Sequence, residues 1–237
     1  MNFSQQLDLA HAKYAFYDMQ LNNKRIAEEL QKELKPLSAQ NLLIVGSVGI
    51  ANELINKGYN VTILATSEDM KNYVRKYLPV VNVLVGNIKG LNLNAKFDAI
   101  ICLGDTFSHF TDEQDVYMIL ESFYRNLKYG GIILLEKLNA LKLFENDGNA
   151  ISKVENENIK IKRTSSLMKN AEKTPIAIWK VIYELMQNGK RNVYEEQSKV
   201  RGFTEKEIEK KLKATNFHLI KFLESGKGNN FVTIARK

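Results

Sequence analysis

The sequence predicts an α/β fold, a doubly wound and mostly parallel sheet with helices on both faces. Two observations favour this class. Apolar runs of strand length alternate with helix-like segments from the N-terminus to Asn139, and the first run is followed by a glycine turn at Gly46 to Gly49. A later run, FDAIICLG, is apolar on both faces, as a central parallel strand requires.

The elements follow in order from the N-terminus. Gln5 to Leu34 is rich in helix formers with apolar residues at helical spacing, and Pro36 follows it, so we predict one long helix. Gly130-Gly131 is predicted to turn the chain into the last strand of this part. The predicted strands are 42–45, 61–64, 80–85, 97–104 and 132–138, and the helices between them are 50–56, 69–77 and 112–127.

The pattern changes after Asn139. The segments IKIKRTSSL, AIWKVIYEL and RNVYEEQSKVRGF alternate polar and apolar residues, and Asn188-Gly189 is a typical hairpin turn. We therefore expect an antiparallel β meander that covers the functional site of the α/β domain. Trp179, in one of its strands, is expected to be a packing residue. The chain then returns with a predicted helix over 204–215, capped by Thr204, and closes with strands at 218–224 and 231–237.

These patterns predict a single domain over residues 1–237. Residues 1–36 form an N-terminal helical cap, and residues 140–203 form the inserted β cover. The sequence contains no internal repeat and no segment with the composition of a domain linker.

Composition places the chain among ordinary globular proteins, with 44% hydrophobic and 26% charged residues. The net charge of +7 is spread along the chain, so a nucleic-acid partner is not favoured. A single cysteine, Cys102, lies in an apolar run and predicts a reducing compartment. The N-terminus does not resemble a signal peptide, and no apolar run approaches the ~20 residues that span a bilayer, so we expect a cytoplasmic protein without membrane contact.

Five segments together resemble the class I, Rossmann-like S-adenosylmethionine-dependent methyltransferases. They are LLIVGSVG, GYNVTILATSEDM, FDAIICLGDTFSHF, YRNLKYGGIILLE and RGFTEKEIEKKLKATNFHLIKF. The third is most similar to enzymes that act on small molecules, including the glycine N-methyltransferase type. The resemblance implies a transferase with S-adenosylmethionine as its cofactor and covers most of the chain.

The resemblance also implies which residues bind that cofactor. They are Gly46, Ser47, Gly49, Ala65, Thr66, Met70, Asn87, Ile88, Leu103 and Gly104.

Several of these positions depart from the family pattern. Ile44 stands where the family has an acid. Val48 and Ile50 stand where it has glycines that let the backbone approach the ligand, so the two branched side chains are expected to narrow the space for the cofactor. Ala65 replaces the acid that accepts hydrogen bonds from the ribose hydroxyls, although Thr66 offers a weaker neutral substitute. Asn87 replaces the acid that binds the adenine amino group, and its amide oxygen still accepts that bond.

Two other kinds of site find little support in the sequence. The dinucleotide fingerprint needs glycine at its first, third and sixth places, and reading from Gly46 gives Gly, Val and Ala, which disfavours NAD. The three histidines, His11, His109 and His218, are far apart and have no partner at metal-ligand spacing, so no metal is expected.

The acceptor is expected at the carboxyl ends of strands four and five, because open α/β sheets bind ligands at that edge. Lys137 follows strand five and is a further candidate there. The catalytic candidates are Asp105 and His109, and the substrate-binding candidates are Tyr14, Tyr17, Ser108, Asn139 and Arg201.

Each candidate also has a structural interpretation. His109 is either a base with a pKa near working pH or a structural histidine at a helix start. Asp105 either orients an acceptor amine or caps its loop. Tyr14 and Tyr17 either close over the site or form part of a helical core stripe. Arg201 either binds an anionic substrate group or is a surface arginine.

The leading hypothesis is methylation of a nitrogen or oxygen nucleophile on a small molecule. The alternative is a degenerate member of the fold that acts as a binding or partner subunit without turnover, and the departures at Ile44, Val48 and Ala65 favour it. A homodimer is compatible with either hypothesis. Methylation of RNA is suggested by the basic charge, but the sequence lacks an appended RNA-binding module and a clustered basic face.

Overall fold

The computed structural model describes residues 3–143, 145, 149–169, 175–225 and 229–237. Two N-terminal helices, α1 (Phe3–Gln20) and α2 (Asn23–Leu34), precede an alternating β/α part. That part contains β1 (Asn41–Val45), α3 (Val48–Asn56), β2 (Asn60–Ala65), α4 (Glu68–Tyr77), β3 (Asn82–Val85), β4 (Phe97–Cys102), α5 (Glu113–Asn126) and β5 (Leu127–Leu138). The remaining elements are α6 (Ala140–Leu143), β6 (Ala150–Glu155), β7 (Ile159–Lys169), β8 (Ile176–Gln187), β9 (Lys190–Arg201), α7 (Glu205–Ala214), β10 (His218–Ser225) and β11 (Asn230–Arg236).

The central sheet has seven strands in the order β10-β11-β5-β4-β1-β2-β3. Strands β1 to β5 pair in parallel, whereas β11 pairs antiparallel with both β5 and β10. The predicted fold class, a mostly parallel α/β sheet with an antiparallel β insertion, is confirmed. Within the described part of the chain, no helix combines the length and apolar character needed to cross a membrane.

The sheet is buried on both faces because side chains alternate along each strand. In β1, Leu42 and Ile44 pack in a core with α1 to α4, while Leu43 and Val45 pack in a second core with α5 and α7. The first core also receives Tyr183 and other residues of β7 and β8. The insertion is therefore joined to the main domain by apolar burial on the same face as α1.

The N-terminal segment differs from the sequence prediction. It forms two helices instead of one, and the break falls at Leu21 and Asn22. The Asn22 side chain accepts a hydrogen bond from the backbone N–H of Arg25 at 3.0 Å and so caps α2. An asparagine is well suited to this cap, which explains why a helix-rich sequence is interrupted there.

Two strand boundaries also differ from the prediction. Strand β5 begins at Leu127, directly after α5, and the glycine pair lies inside the strand, with Gly130 at φ +77°. Strand β3 begins at Asn82, after the exposed Val80.

The insertion is a four-stranded antiparallel sheet in the order β6-β7-β8-β9, which we call the cover sheet. The sequence predicted three of its strands and missed β6. Asn188 and Gly189 have φ values of +51° and +73°, the left-handed pair that a two-residue type I′ hairpin requires. The predicted hairpin turn between β8 and β9 is confirmed.

The cover sheet meets the central sheet at Gly202. A Cβ on this residue would lie 2.6 Å from the backbone Cα of Ala140, which is too close for a rigid neighbour. We expect Gly202→Ala to lower the free energy of unfolding by about 1–3 kcal/mol, as overpacking does. Gly90→Ala is the matched control, because nothing lies within 4 Å of a Cβ there. Urea unfolding of both variants measures the difference, and equal stabilities would contradict the close contact.

Candidate active site

A cavity of about 1600 Å³ opens at the carboxyl edge of β1, β4 and β5. The N-terminal helices and the cover sheet form its other walls. The lining from the central sheet and its loops includes Gly46, Ser47, Leu103, Gly104, Asp105 and Glu136. The walls include Lys13, Tyr14, Tyr17 and Asp18 from α1 and Arg163, Ser165, Leu167 and Trp179 from the cover sheet.

The glycine turn after β1 is shaped to leave space beside the cavity. Gly46 has φ +86°, and a Cβ there would come 2.9 Å from Oγ1 of Thr106, so a side chain is excluded on both counts. Ser47 is the N-cap of α3, but its side chain makes no capping bond. Its Oγ is shielded from solvent and has no hydrogen-bond partner among the described residues. An orphaned hydroxyl at a helix N-terminus suits a polar ligand.

The two branched residues in the first turn of α3 are nearly fully buried. Val48 is 4% exposed and Ile50 is 1% exposed, and both pack in the core below the turn. Each also contributes to the cavity wall. Most of their surface is therefore taken up by the core, which limits how far they narrow the space above.

The end of β2 brings only some of the predicted cofactor residues to the cavity. Thr66 and Met70 line it. Ala65 is fully buried and does not line it, and it offers no polar group. Asn87 and Ile88 also lie outside the lining: the Asn87 side chain accepts the N–H of Lys89 at 3.0 Å, and Ile88 packs in the core on the opposite face.

Asp18, near the end of α1, is a cavity residue that the sequence analysis missed. Its Oδ1 accepts the N–H of Gly49 at 2.9 Å, and its Oδ2 accepts the hydroxyl of Tyr73 at 3.0 Å. Burial raises the pKa of Asp18 above its ordinary value, while these two hydrogen bonds act in the opposite direction. The carboxylate thus joins the first turn of α3 to α4, on the side of the cavity that holds Thr66 and Met70.

Two carboxyl groups lie together at the ends of β4 and β5. Glu136 accepts the N–H of Gly104 and the hydroxyl of Ser225, both at 2.6 Å. The Asn230 amide donates to Asp105 at 3.4 Å and to Glu136 at 3.3 Å. Burial and the neighbouring Glu136 raise the pKa of Asp105 to about 6. Among the described residues, no group of three metal-ligating side chains is assembled here or elsewhere.

His109 and Trp179 form an aromatic wall. Their rings are nearly parallel, at 13°, with centroids 6.4 Å apart. Burial, together with the charge of Lys13, lowers the pKa of His109, so its imidazole is neutral at pH 7. Trp179 packs as the sequence predicted, and it also lines the cavity.

Arg163, on β7, places a buried cation in the cavity wall. The residue is only 7% exposed to solvent. Its guanidinium lies 5.1–5.8 Å from the ring centroids of Phe16, Tyr17 and Trp179. One terminal nitrogen donates to the hydroxyl of Ser165 at 3.2 Å. Its Nε has no hydrogen-bond partner among the described residues. A buried guanidinium with a free donor is suited to bind an anionic group.

Some predicted residues serve the scaffold instead of the cavity. Ser108 is fully buried, and its hydroxyl accepts the N–H of Leu138 at 2.9 Å. The Asn139 side chain accepts the N–H of Leu141 at 3.0 Å. Neither residue lines the cavity. The residue types were compatible with binding, but both side chains are occupied in fixing the end of β5.

Lys137 and Arg201 are also placed away from the cavity. Lys137 is fully buried on the other face of the sheet, with its Nζ 4.2 Å from the ring centroid of Phe231, because side chains alternate along β5 and Glu136 takes the cavity side. Arg201 pairs with Glu113 at 2.9 Å and Glu207 at 2.6 Å. These two candidates are corrected to structural roles. Tyr14 and Tyr17, Asp105 and His109 do line the cavity.

Comparison with solved structures finds the same fold. Streptomyces venezuelae DesVI matches with a TM-score of 0.83 at 20% identity, covering 95% of this chain and 97% of that one. An S-adenosylmethionine-dependent methyltransferase from Clostridium acetobutylicum matches with a TM-score of 0.78 at 16% identity, covering 99% of both. CalS10, an amino pentose methyltransferase from Micromonospora echinaspora, gives 0.78 at 16% identity, over 94% of this chain and 95% of that one.

Comparison of sequences finds methyltransferases that match part of the chain. Residues 44–131 match the family model described as a methyltransferase domain. A glycine/sarcosine N-methyltransferase of Parasynechococcus marenigrum is 38% identical over 60 residues, which are 25% of this chain and 21% of that protein. A dTDP-3-amino-3,4,6-trideoxy-alpha-D-glucopyranose N,N-dimethyltransferase of Streptomyces venezuelae is 25% identical over 109 residues, 46% of each protein.

The chain therefore has the class I methyltransferase fold. Within that fold, residues 44–131 carry the match to the family model described as a methyltransferase domain. The matched part of the chain spans about a fifth of the glycine/sarcosine N-methyltransferases and about half of the sugar dimethyltransferase.

Proposed function

We propose that the protein uses S-adenosylmethionine to methylate the nitrogen of a small-molecule amine that also carries an anionic group. One observation carries the proposal. Asp105 and Glu136 line the same cavity as the buried Arg163, at the edge of the sheet where this fold binds its ligands. A cavity with two acids and one enclosed arginine suits an acceptor with a cationic and an anionic end.

The cofactor half of the cavity is assigned to the turn after β1 and the start of α4. Gly46 leaves room for a ligand against the backbone, and the orphaned Ser47 hydroxyl is available to a polar group. Thr66 and Met70 complete this side. The cofactor, when bound, supplies a methyl group on a sulfonium that is already activated for displacement, so the protein mainly aligns the acceptor with it.

The acceptor half has groups for binding an amine and for removing its proton. The carboxylates of Asp105 and Glu136 attract an ammonium group and hold its nitrogen by charge-assisted hydrogen bonds. A nitrogen must lose a proton to expose the lone pair that forms the new N–C bond. His109 is neutral at pH 7 and lines the same cavity, so its imidazole is placed to accept that proton.

Nitrogen is favoured over oxygen as the nucleophile. Two neighbouring carboxyl groups stabilise positive charge on the acceptor, and they disfavour the negative charge that develops on a hydroxyl as it loses its proton. The matched relatives support the same choice, since they are N-methyltransferases of glycine and sarcosine and of an amino sugar nucleotide.

A subunit without turnover is the second candidate. Val48 and Ile50 replace residues that leave space for the cofactor in the family, and Ala65 lacks the ribose-binding acid. A protein of this kind would keep the fold and the cavity but would not bind the cofactor.

Calorimetry with S-adenosylmethionine and S-adenosylhomocysteine separates the two candidates. We expect both ligands to bind and to raise the melting temperature, because a ligand that binds only the folded state stabilises it. Ser47→Ala should weaken S-adenosylhomocysteine about fivefold, the effect of one hydrogen bond. Ser152→Ala, on β6 outside the cavity, is the matched control.

Turnover is then measured with a panel of amines, by following transfer of one methyl group to the acceptor by mass spectrometry. Panel members should differ in whether they carry a carboxylate or a phosphate. The absence of heat and of thermal shift at millimolar ligand would reject the enzyme and favour the subunit without turnover.

A further inference from the structure

The family's acid at the end of β2 is missing, and the carboxylate of Asp18 lines the cavity together with Thr66, the residue after Ala65. We propose that Asp18, on α1, accepts hydrogen bonds from the ribose hydroxyls of the cofactor in place of the acid that Ala65 lacks. This inference rests on the proposed function. It assigns part of the cofactor site to the N-terminal helical cap instead of the β/α core.

The position of Asp18 is fixed from both neighbouring helices. Its carboxylate bonds to Gly49 in the first turn of α3 and to Tyr73 on α4, the helices that follow β1 and β2. The crevice outside these two strand ends is where nucleotide ligands of doubly wound sheets bind. Asp18 lines the cavity together with Thr66, the residue next to Ala65. The acid therefore reaches the neighbourhood of β2 from a different element.

The carboxylate has the capacity for a ligand. Two carboxylate oxygens offer about four acceptor sites, and the bonds from Gly49 and Tyr73 use two of them. Burial raises the pKa of Asp18, and the two hydrogen bonds oppose that shift by favouring the charged form. Each oxygen is thus held in place by the protein and keeps one acceptor site for a hydroxyl group.

A purely structural role is the alternative. Asp18 joins α1 to α3 and α4, so in this alternative its carboxylate is a latch that holds the helical cap on the core. The two roles predict different ligand dependences. A latch affects every cofactor analogue by the same factor, whereas an acceptor for ribose hydroxyls affects only the analogues that carry them.

The test compares S-adenosylhomocysteine with its 2′,3′-dideoxy analogue by calorimetry on the whole protein. Wild type should prefer the ribose form by about tenfold or more, the effect of a hydrogen bond to a charged group. Asp18→Ala should reduce that preference to nearly one. Asp69→Ala, which removes a carboxylate from α4 outside this cavity, should leave the preference unchanged.

Thermal unfolding of each variant checks that it is folded. If Asp18→Ala is not folded, Asp18→Asn is used in its place, because asparagine keeps the shape of the side chain. The Asn variant should show a reduced preference. If wild type binds both ligands but substitution of Asp18 weakens them equally, the inference is wrong and the latch is right. If wild type binds neither ligand, the proposed function itself is wrong and the inference falls with it.

Discussion

Asp105→Asn is expected to lower kcat/KM for the amine acceptor by about a hundredfold. A buried hydrogen bond between charged groups is worth ~1.5–3 kcal/mol, and the substitution also removes one of the two neighbouring carboxylates that attract the ammonium. The amide keeps the shape of the side chain, so the hydrogen bond that Asn230 donates at 3.4 Å has an oxygen to accept it. Steady-state kinetics with the best amine of the panel measures the effect.

Asp115→Asn is the matched control for this substitution. Asp115 lies on α5, outside the cavity, and pairs with Lys89 at 3.0 Å. The kinetics of Asp115→Asn should therefore equal those of wild type. The affinity for S-adenosylhomocysteine should be the same in both variants, because Asp105 is assigned to the acceptor. An unchanged kcat/KM in Asp105→Asn would remove this carboxylate from the mechanism.

The same variant tests the pH dependence. With the pKa of Asp105 raised to about 6, kcat/KM of wild type should rise as pH increases through 6 and the carboxylate ionises. Asp105→Asn should lose that limb of the profile.

The free energy of unfolding changes with pH in the opposite direction. Because the pKa of Asp105 is higher in the folded protein than in the unfolded chain, its contribution to stability is most favourable below the pKa of the unfolded chain. That contribution becomes less favourable as the pH rises through about 6. The variant should therefore gain stability relative to wild type between pH 4 and pH 7.

The sheet was predictable because its signal is local. Each parallel strand is a short apolar run, and glycine, proline or polar residues separate it from the next helix. The hairpin at Asn188 and Gly189 was equally clear, since few other residues adopt two successive left-handed conformations. The break between α1 and α2 was missed because Leu21 and Asn22 interrupt an otherwise continuous helical pattern with a single capping residue.

The site was less predictable because its residues come from distant segments. The sheet-edge rule indicated Asp105 and His109, and both of these residues line the cavity. The same rule pointed to Lys137, and only the alternation along β5 shows that Glu136 faces the cavity. Arg163 looks like any basic residue of an alternating strand. Its burial follows from how the cover sheet packs on α1, which no local pattern encodes.

Asp18 illustrates the same limit for the cofactor half. The family has its ribose-binding acid at the end of β2, and this chain has Ala65 at that position. The carboxylate that bonds to the first turn of α3 belongs to Asp18 on α1, which lies 31 residues before Gly49 in the sequence. The absence of a functional residue from one sequence motif is therefore weak evidence for loss of function, because a packed domain can supply the same chemical group from another helix or strand.

Arg163→Met is expected to raise KM for an amine with a carboxylate or phosphate by about a hundredfold. The guanidinium is enclosed by three aromatic rings and has a free Nε, so it can give an anion short, charge-assisted hydrogen bonds away from water. Turnover of a neutral amine of similar size should change little, because that acceptor has no group for Arg163 to bind. Kinetics with the paired acceptors measure the difference.

The stability of this variant distinguishes a binding arginine from a packing one. Burying a cation is costly, so replacing Arg163 with an apolar side chain of similar length should leave the melting temperature unchanged or raise it. Arg191→Met, on the exposed β9 edge where Arg191 pairs with Glu184 at 2.6 Å, is the matched control and should leave both KM values unchanged. A fall in stability with equal losses for both acceptors would mean that Arg163 serves the packing of the cover sheet. A higher KM for the anionic acceptor alone, in a protein at least as stable as wild type, would mean that the buried charge is retained for binding.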